Sequence, residues 1–104
     1  MNNSPNWEKK EKRDAVDFNA QATKASGRTW SDKGDVKNND WLIDSKYTEK
    51  KSYSVSLKTW DQLCEQALIS FRKPLLSVEI QGHEVVVVDK DDFLDLLKNL
   101  SDKT

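Results

Sequence analysis

The sequence predicts a small mixed α/β domain, a β-sheet flanked by helices in the order helix, strands, helix, strands, helix. Three observations carry this. Trp7, Glu11, Ala15 and Phe18 fall at i, i+4, i+8 and i+11, one face of a helix. Leu57, Trp60, Leu63, Cys64, Ala67, Leu68 and Phe71 recur at helical spacing farther on. Val85–Val88 is an unbroken β-branched run, as expected of a buried strand.

Met1–Asn6 is polar and expected to fray, and the first helix follows from Trp7. After Asn19 an extended stretch, Gln21–Ala25, leads into the polar loop Ser26–Gly34. Asp35–Lys37 and Trp41–Tyr47 read as short strands joined at Asn38-Asn39, a hairpin turn. Thr48–Ser54 is a polar loop. The second helix runs from Ser56, its N-cap, to Phe71, with Pro74 blocking its continuation. Leu75–Ile80 and Glu84–Asp89 are strands around the turn Gln81-Gly82-His83. Asp89 caps a last helix carrying Phe93, Leu94, Leu96, Leu97 and Leu100. No repeat or linker divides residues 1–104, so one domain is expected.

The chain has 104 residues and one cysteine, Cys64. A single cysteine excludes a disulfide framework and a cysteine-based zinc site, and fits a reducing, cytoplasmic compartment. No apolar run is long enough for a membrane span, and no signal-peptide pattern opens the chain. The formal net charge of -1 excludes a uniformly basic coat for a polyanion. The charge is polarised, however. Residues 1–60 hold 12 Lys/Arg against 9 Asp/Glu, and residues 61–104 hold 5 against 9.

Three carboxylates stand where a fold would not place them without a reason. Leu42, Asp44 and Lys46 alternate onto one strand face, and Trp41, Ile43 and Tyr47 take the other. A two-residue turn at Asn38-Asn39 pairs Lys37 with Asp40 and Asp35 with Leu42. Asp35 is then diagonal to Asp44 on the same face, roughly 7–8 Å between backbones. Two carboxylates converging in this way repel unless a positive charge lies between them. Glu11 shares a helix face with Trp7, Ala15 and Phe18, where desolvation is costly unless it is paired or coordinated. Carboxylates without a His or Cys cluster suit a hard cation such as Mg²⁺ or Mn²⁺, which activates water for phosphodiester attack. Lys46 would orient that water or neutralise the pentacovalent phosphate. Each element also has a plainer reading. Alternating charge on an exposed strand gives Asp44-x-Lys46, Asp35 fits a turn residue, and a slightly rotated helix leaves Glu11 solvated. Cys64, Trp7, Trp41 and Trp60 read as core, His83 as an exposed turn residue, and Trp30 as the tryptophan suited to a nucleic-acid contact.

The order Glu11, Ser26-Gly27, Lys33-Gly34-Asp35-Val36 and Leu42-Ile43-Asp44-Ser45-Lys46 resembles the PD-(D/E)XK nuclease superfamily, and within it the phage and archaeal Holliday junction resolvases. Asp35 follows Gly34 rather than Pro, and the second acid is Asp rather than the commoner Glu. The likeness continues through Thr48–Val55, Trp60–Ala67 and Lys73–Ile80. It implies a restriction-endonuclease-like core, α-β-β-β-α-β, with a C-terminal strand and helix added. It implies Asp35, Asp44 and Glu11 as ligands of Mg²⁺ or Mn²⁺, Lys46 as the catalytic lysine and Ser26 near the scissile phosphate. Arg28, Lys33, Lys50 and Lys51 would contact the DNA backbone as charge. The implied activity is a DNA endonuclease resolving four-way junctions as a homodimer, in the host cytoplasm if the chain is phage-encoded. A non-catalytic DNA-binding protein on the same fold, or a nuclease of duplex or flap DNA, are the alternatives. With the three site carboxylates set aside, residues 1–60 hold 12 basic against 6 acidic residues.

Overall fold

The computed structural model describes residues 6–22 and 35–102. In chain order the elements are α1 (Asn6–Asp17), β1 (Gln21–Ala22), β2 (Asp35–Lys37), β3 (Trp41–Thr48), α2 (Leu57–Ile69), β4 (Lys73–Ile80), β5 (His83–Val88) and α3 (Lys90–Asp102). The strands form one mixed sheet in sequence order, with the two-residue β1 extending one edge. Only β3 and β4 are parallel, and α2 makes the crossover between them. The result is the small α/β architecture expected from the pattern.

The sheet is sandwiched. On one face Val36, Ile43 and Leu75 are buried, with Ala15 of α1, Phe18 just after it, Trp41 and Val88 packed against them. On the other, Leu42, Leu76 and Val78 are buried with Leu63 and Ala67 of α2, beneath Tyr53, Trp60, Ile80 and Val87. The alternation of β3 therefore serves two cores, and β4, covered on both sides, reads as apolar nearly throughout.

Local chemistry sets most of the boundaries. Ser56 Oγ accepts from the Thr59 backbone N–H and caps α2. Asp89 Oδ1 accepts from the Asp91 N–H and starts α3. The β4–β5 hairpin turns on Gln81 and Gly82, both with positive φ (48° and 85°), as a type I′ turn requires. Both α1 and α2 close with paired bonds around one left-handed residue. Asn19 (φ 49°) ends α1, with Asn19 N–H bonded to Val16 O and Ala20 N–H to Ala15 O. Phe71 (φ 59°) ends α2, with Phe71 N–H bonded to Leu68 O and Arg72 N–H to Ala67 O. This capping motif stops α2 two residues short of Phe71, so Pro74 does not terminate it and instead lies within β4.

Several expectations are corrected. The hairpin between β2 and β3 does not turn on two residues. Asn38 Oδ1 accepts from the N–H groups of Asp40 (2.9 Å) and Trp41 (2.8 Å), and Asn38 N–H bonds to Trp41 O. Neither Asn38 nor Asn39 has the positive φ a two-residue I′ turn needs. The connection between the strands is Asn38–Asp40, Lys37 pairs with Leu42, and Asp35 comes to lie directly opposite Asp44. Val85–Val88 is not a buried strand: β5 closes the sheet edge, and Val85 and Val86 are exposed. Of the apolar face expected for α2, Leu63 and Ala67 are buried, whereas Leu57, Leu68 and Phe71 face solvent. Trp7 is exposed, because α1 turns Lys10 and Asp14 toward the sheet.

Phe71 is both exposed and left-handed, a conformation that costs a residue with a Cβ about 1–2 kcal/mol. Phe71→Gly is expected to raise stability by about 0.5–1 kcal/mol after glycine's larger unfolded-state entropy is counted. An unchanged or lower urea midpoint would contradict this.

Candidate functional site

β3 presents chemistry on both faces of the sheet. Asp44 and Lys46 project toward the α2 side with Leu42, and Ser45 projects toward α1 with Ile43 and Tyr47.

On the α2 side, the observed register sets Asp35 and Asp44 side by side across β2 and β3. Both are buried. The Asp44 carboxyl is held above its ordinary range, chiefly by burial, with the neighbouring Lys46 ammonium and Asp35 acting the other way. Lys46 Nζ lies 3.3 Å from Asp44 Oδ1, and its side chain remains partly exposed. That contact is an ion pair without hydrogen-bond geometry: Asp44 Oδ1 is buried with no hydrogen-bond partner. A desolvated carboxylate oxygen that has an ammonium nearby but no hydrogen-bond donor is expensive to maintain. Tyr53, from the loop before α2, packs on the Leu42–Val78 core, and its hydroxyl feels the charges of both Lys46 and Asp44. Burial raises its pKa, so the phenol is a proton donor at neutral pH. An aromatic residue in an otherwise polar loop was the sequence signal for Tyr53.

Glu11 is half-buried on α1, whose packing is against the other face of the sheet. Asp35 and Asp44 are brought together, but Glu11, Asp35 and Asp44 do not form a group with ligand atoms within 4.8 Å of one another. Lys50 and Lys51 are exposed just beyond the end of β3. Ser26, Arg28, Lys33 and Trp30 lie outside the described residues.

On the α1 side is a polar cluster that helical periodicity alone did not pick out. Lys10 and Asp14, one turn apart, are both fully buried. Lys10 Nζ donates to Asp14 Oδ1 (2.9 Å), Ser77 Oγ (2.7 Å) and Glu84 Oε1 (2.7 Å). Ser45 and Ser77, paired across β3 and β4, each donate to Asp14. All three ammonium protons and both Asp14 oxygens are thus engaged. Arg13 bridges Glu79 and Glu84, which face each other across β4 and β5. The hydrogen bond from Lys10 holds the Glu84 carboxyl below the usual range. Asp14, Asp17 and Glu84 are close enough to form a carboxylate triad, but Lys10 already supplies the cation there. This cluster is a structural ion-pair network. Its sequence signal was the pair of serines at the centres of two apolar strands.

No protein-family model matches the chain, and neither a curated protein nor a solved structure is significantly similar to it.

Removing Lys10 leaves a buried, uncompensated carboxylate. Lys10→Met is therefore expected to cost about 3–5 kcal/mol, and the double variant Lys10→Met/Asp14→Leu to recover much of that loss. Additive destabilisation in urea melts would contradict this. A carboxyl raised in the folded state binds its proton more tightly there than in the unfolded chain. The contribution of Asp44 is thus most favourable below its ordinary value of 3.8 and is lost as pH rises through the raised value. Asp44→Asn is expected to raise the neutral-pH melting temperature, with the gain vanishing in acid. Equal gains at both pH values would show that charge is not the cause.

Proposed function

We propose that this chain is a divalent-metal-dependent DNA endonuclease that cuts branched, four-way junctions, acting as a homodimer in the cytoplasm. The observation that carries this reading is the Asp44 carboxylate, buried with one oxygen unsatisfied, beside Asp35 and 3.3 Å from the Lys46 ammonium. Two carboxylates from neighbouring strands and a lysine on one sheet face, with no His or Cys among them, form a donor set for a hard, oxygen-seeking cation. Asp35 and Asp44 would hold Mg²⁺ or Mn²⁺. The ion, when bound, lowers the pKa of water and offsets charge on the phosphodiester under attack.

The side chains then divide the work. Asp44 is poorly hydrated, so its negative charge favours a cation strongly. Lys46 keeps its ammonium partly in solvent, where it orients a nucleophilic water or meets charge developing on phosphate. Lys50 and Lys51 follow on the same strand exit and would grip the DNA backbone as charge. Ser26, Arg28 and Lys33 belong to this reading through the sequence order, whereas Glu11, on the helix that packs against the opposite sheet face, stands apart from the Asp35–Asp44 pair. The two symmetric cuts of a four-way junction call for two copies of the site, hence a two-fold dimer.

The test uses labelled four-way, flap and linear duplex DNA, each with Mg²⁺ or EDTA. Paired cuts in the junction, dependent on Mg²⁺ and reduced at least about 10²-fold in Asp44→Asn, are expected. Equal cutting of all three substrates would replace junction specificity with a general nuclease. Junction binding without cutting would replace catalysis with a non-catalytic DNA-binding role. As a readout independent of cleavage, Mg²⁺ should raise the melting temperature of the wild-type chain and not that of Asp44→Asn.

A further inference from the structure

Helix α3 is amphipathic and almost unpartnered. Phe93, Leu96, Leu97 and Leu100 recur along one side and remain 46%, 40%, 44% and 64% exposed, and Leu94 beside them is 48% exposed. Asp91, Asp95 and Lys98 fall on the opposite side by the helical period. No other element packs closely on α3 among the described residues. The five side chains leave roughly 450 Å² of apolar surface open on one helix, a large patch for a chain of this size.

We propose that this face closes on the same face of a second copy, the two α3 helices antiparallel across a two-fold axis passing between Leu96 and Leu97. The positions 93, 96, 97 and 100 read identically in both directions about that point. One axis therefore sets Phe93 of each copy against Leu100 of the other and brings Leu96 and Leu97 of both copies together at the axis, each beside its own counterpart, an isologous contact with a defined register. The contact area is adequate. Two α3 stripes of Phe93, Leu96, Leu97 and Leu100 bury roughly 700 Å², and an open cleft at the foot of the helix adds to this. Val55 and Leu57 (42% and 73% exposed) line that cleft with Lys90 and carry the total past the ~1,000 Å² that a specific interface needs. A membrane surface fits poorly, because α3 sets Asp91, Asp92 and Asp95 against Lys90 and Lys98, and anionic head groups would repel it. The same charge keeps DNA off this face.

This surface supplies the homodimer of the reading above, yet it rests on α3 alone. Sedimentation equilibrium of the full chain over a micromolar series is expected to give the mass of two chains. Leu97→Asp/Leu100→Asp should give one chain with an unchanged far-UV spectrum, since both positions face solvent. In a Cys64→Ser background, Leu97→Cys should form a disulfide with itself, whereas Phe93→Cys should cross-link only when mixed with Leu100→Cys. A single-chain mass for the wild type, a dimer that survives the double substitution, or self-linking of Phe93→Cys would overturn the inference. Junction cleavage scored in parallel separates the two readings: a dimer that does not cut retains this interface and loses the nuclease, and a monomer that cuts does the reverse.

Discussion

The Lys10 ammonium is the constraint on which the rest of the structure depends. A fully buried lysine is tolerable only when each of its protons has an acceptor. Here the acceptors come from α1 itself, from β4 and from β5. Asp14 then draws in Ser45 of β3 and Ser77 of β4. One charge thus ties the first helix to three strands and sets the rotation of α1 about its axis. That rotation leaves Trp7 exposed and brings Ala15 and Phe18 onto Val36, Ile43 and Leu75. An apolar interface could slide at modest cost, whereas this one is fixed by the directions of its hydrogen bonds.

Asn38 does for the hairpin what Lys10 does for the helix. Its side-chain oxygen satisfies two loop N–H groups, its amide donates to Phe18 O, and its own carbonyl accepts from Arg72 Nε. The loop between β2 and β3 is thereby tied to the end of α1 and to the turn leading into β4. The register that follows makes Asp35 and Asp44 direct cross-strand neighbours rather than diagonal ones. Like charges directly opposed destabilise a strand pair. Their burial beside Lys46, with one Asp44 oxygen unsatisfied, is local strain of the kind that stable packing elsewhere can support. The two faces of β3 thus carry opposite solutions to buried charge, satisfied through Ser45 and left open at Asp44.

The exposed apolar surface follows from topology. β5 closes one edge of the sheet, so its valines lack the second neighbouring strand that a continuous β-branched run suggests. α3 follows β5 after a single residue and has little of the domain left to pack against. At the end of α2, the left-handed Phe71 and its flanking bonds close the helix while Leu68, Ile69 and Phe71 itself stay in solvent.

By itself the sequence determined the α/β class, the order of the elements, the caps at Ser56 and Asp89, the position of the hairpin after Ile80 (though His83, expected in its turn, opens β5 instead) and the strand face shared by Asp44 and Lys46. Each of these rests on local chemistry: a period, a hydroxyl next to a free N–H, a glycine that accepts positive φ. The tertiary structure decided which helix face is buried, how β2 and β3 pair and which apolar residues remain exposed. Those depend on groups distant in the chain. Lys10 finds Glu84 and Asn38 finds Arg72 only after folding, and no periodicity in either segment records its partner.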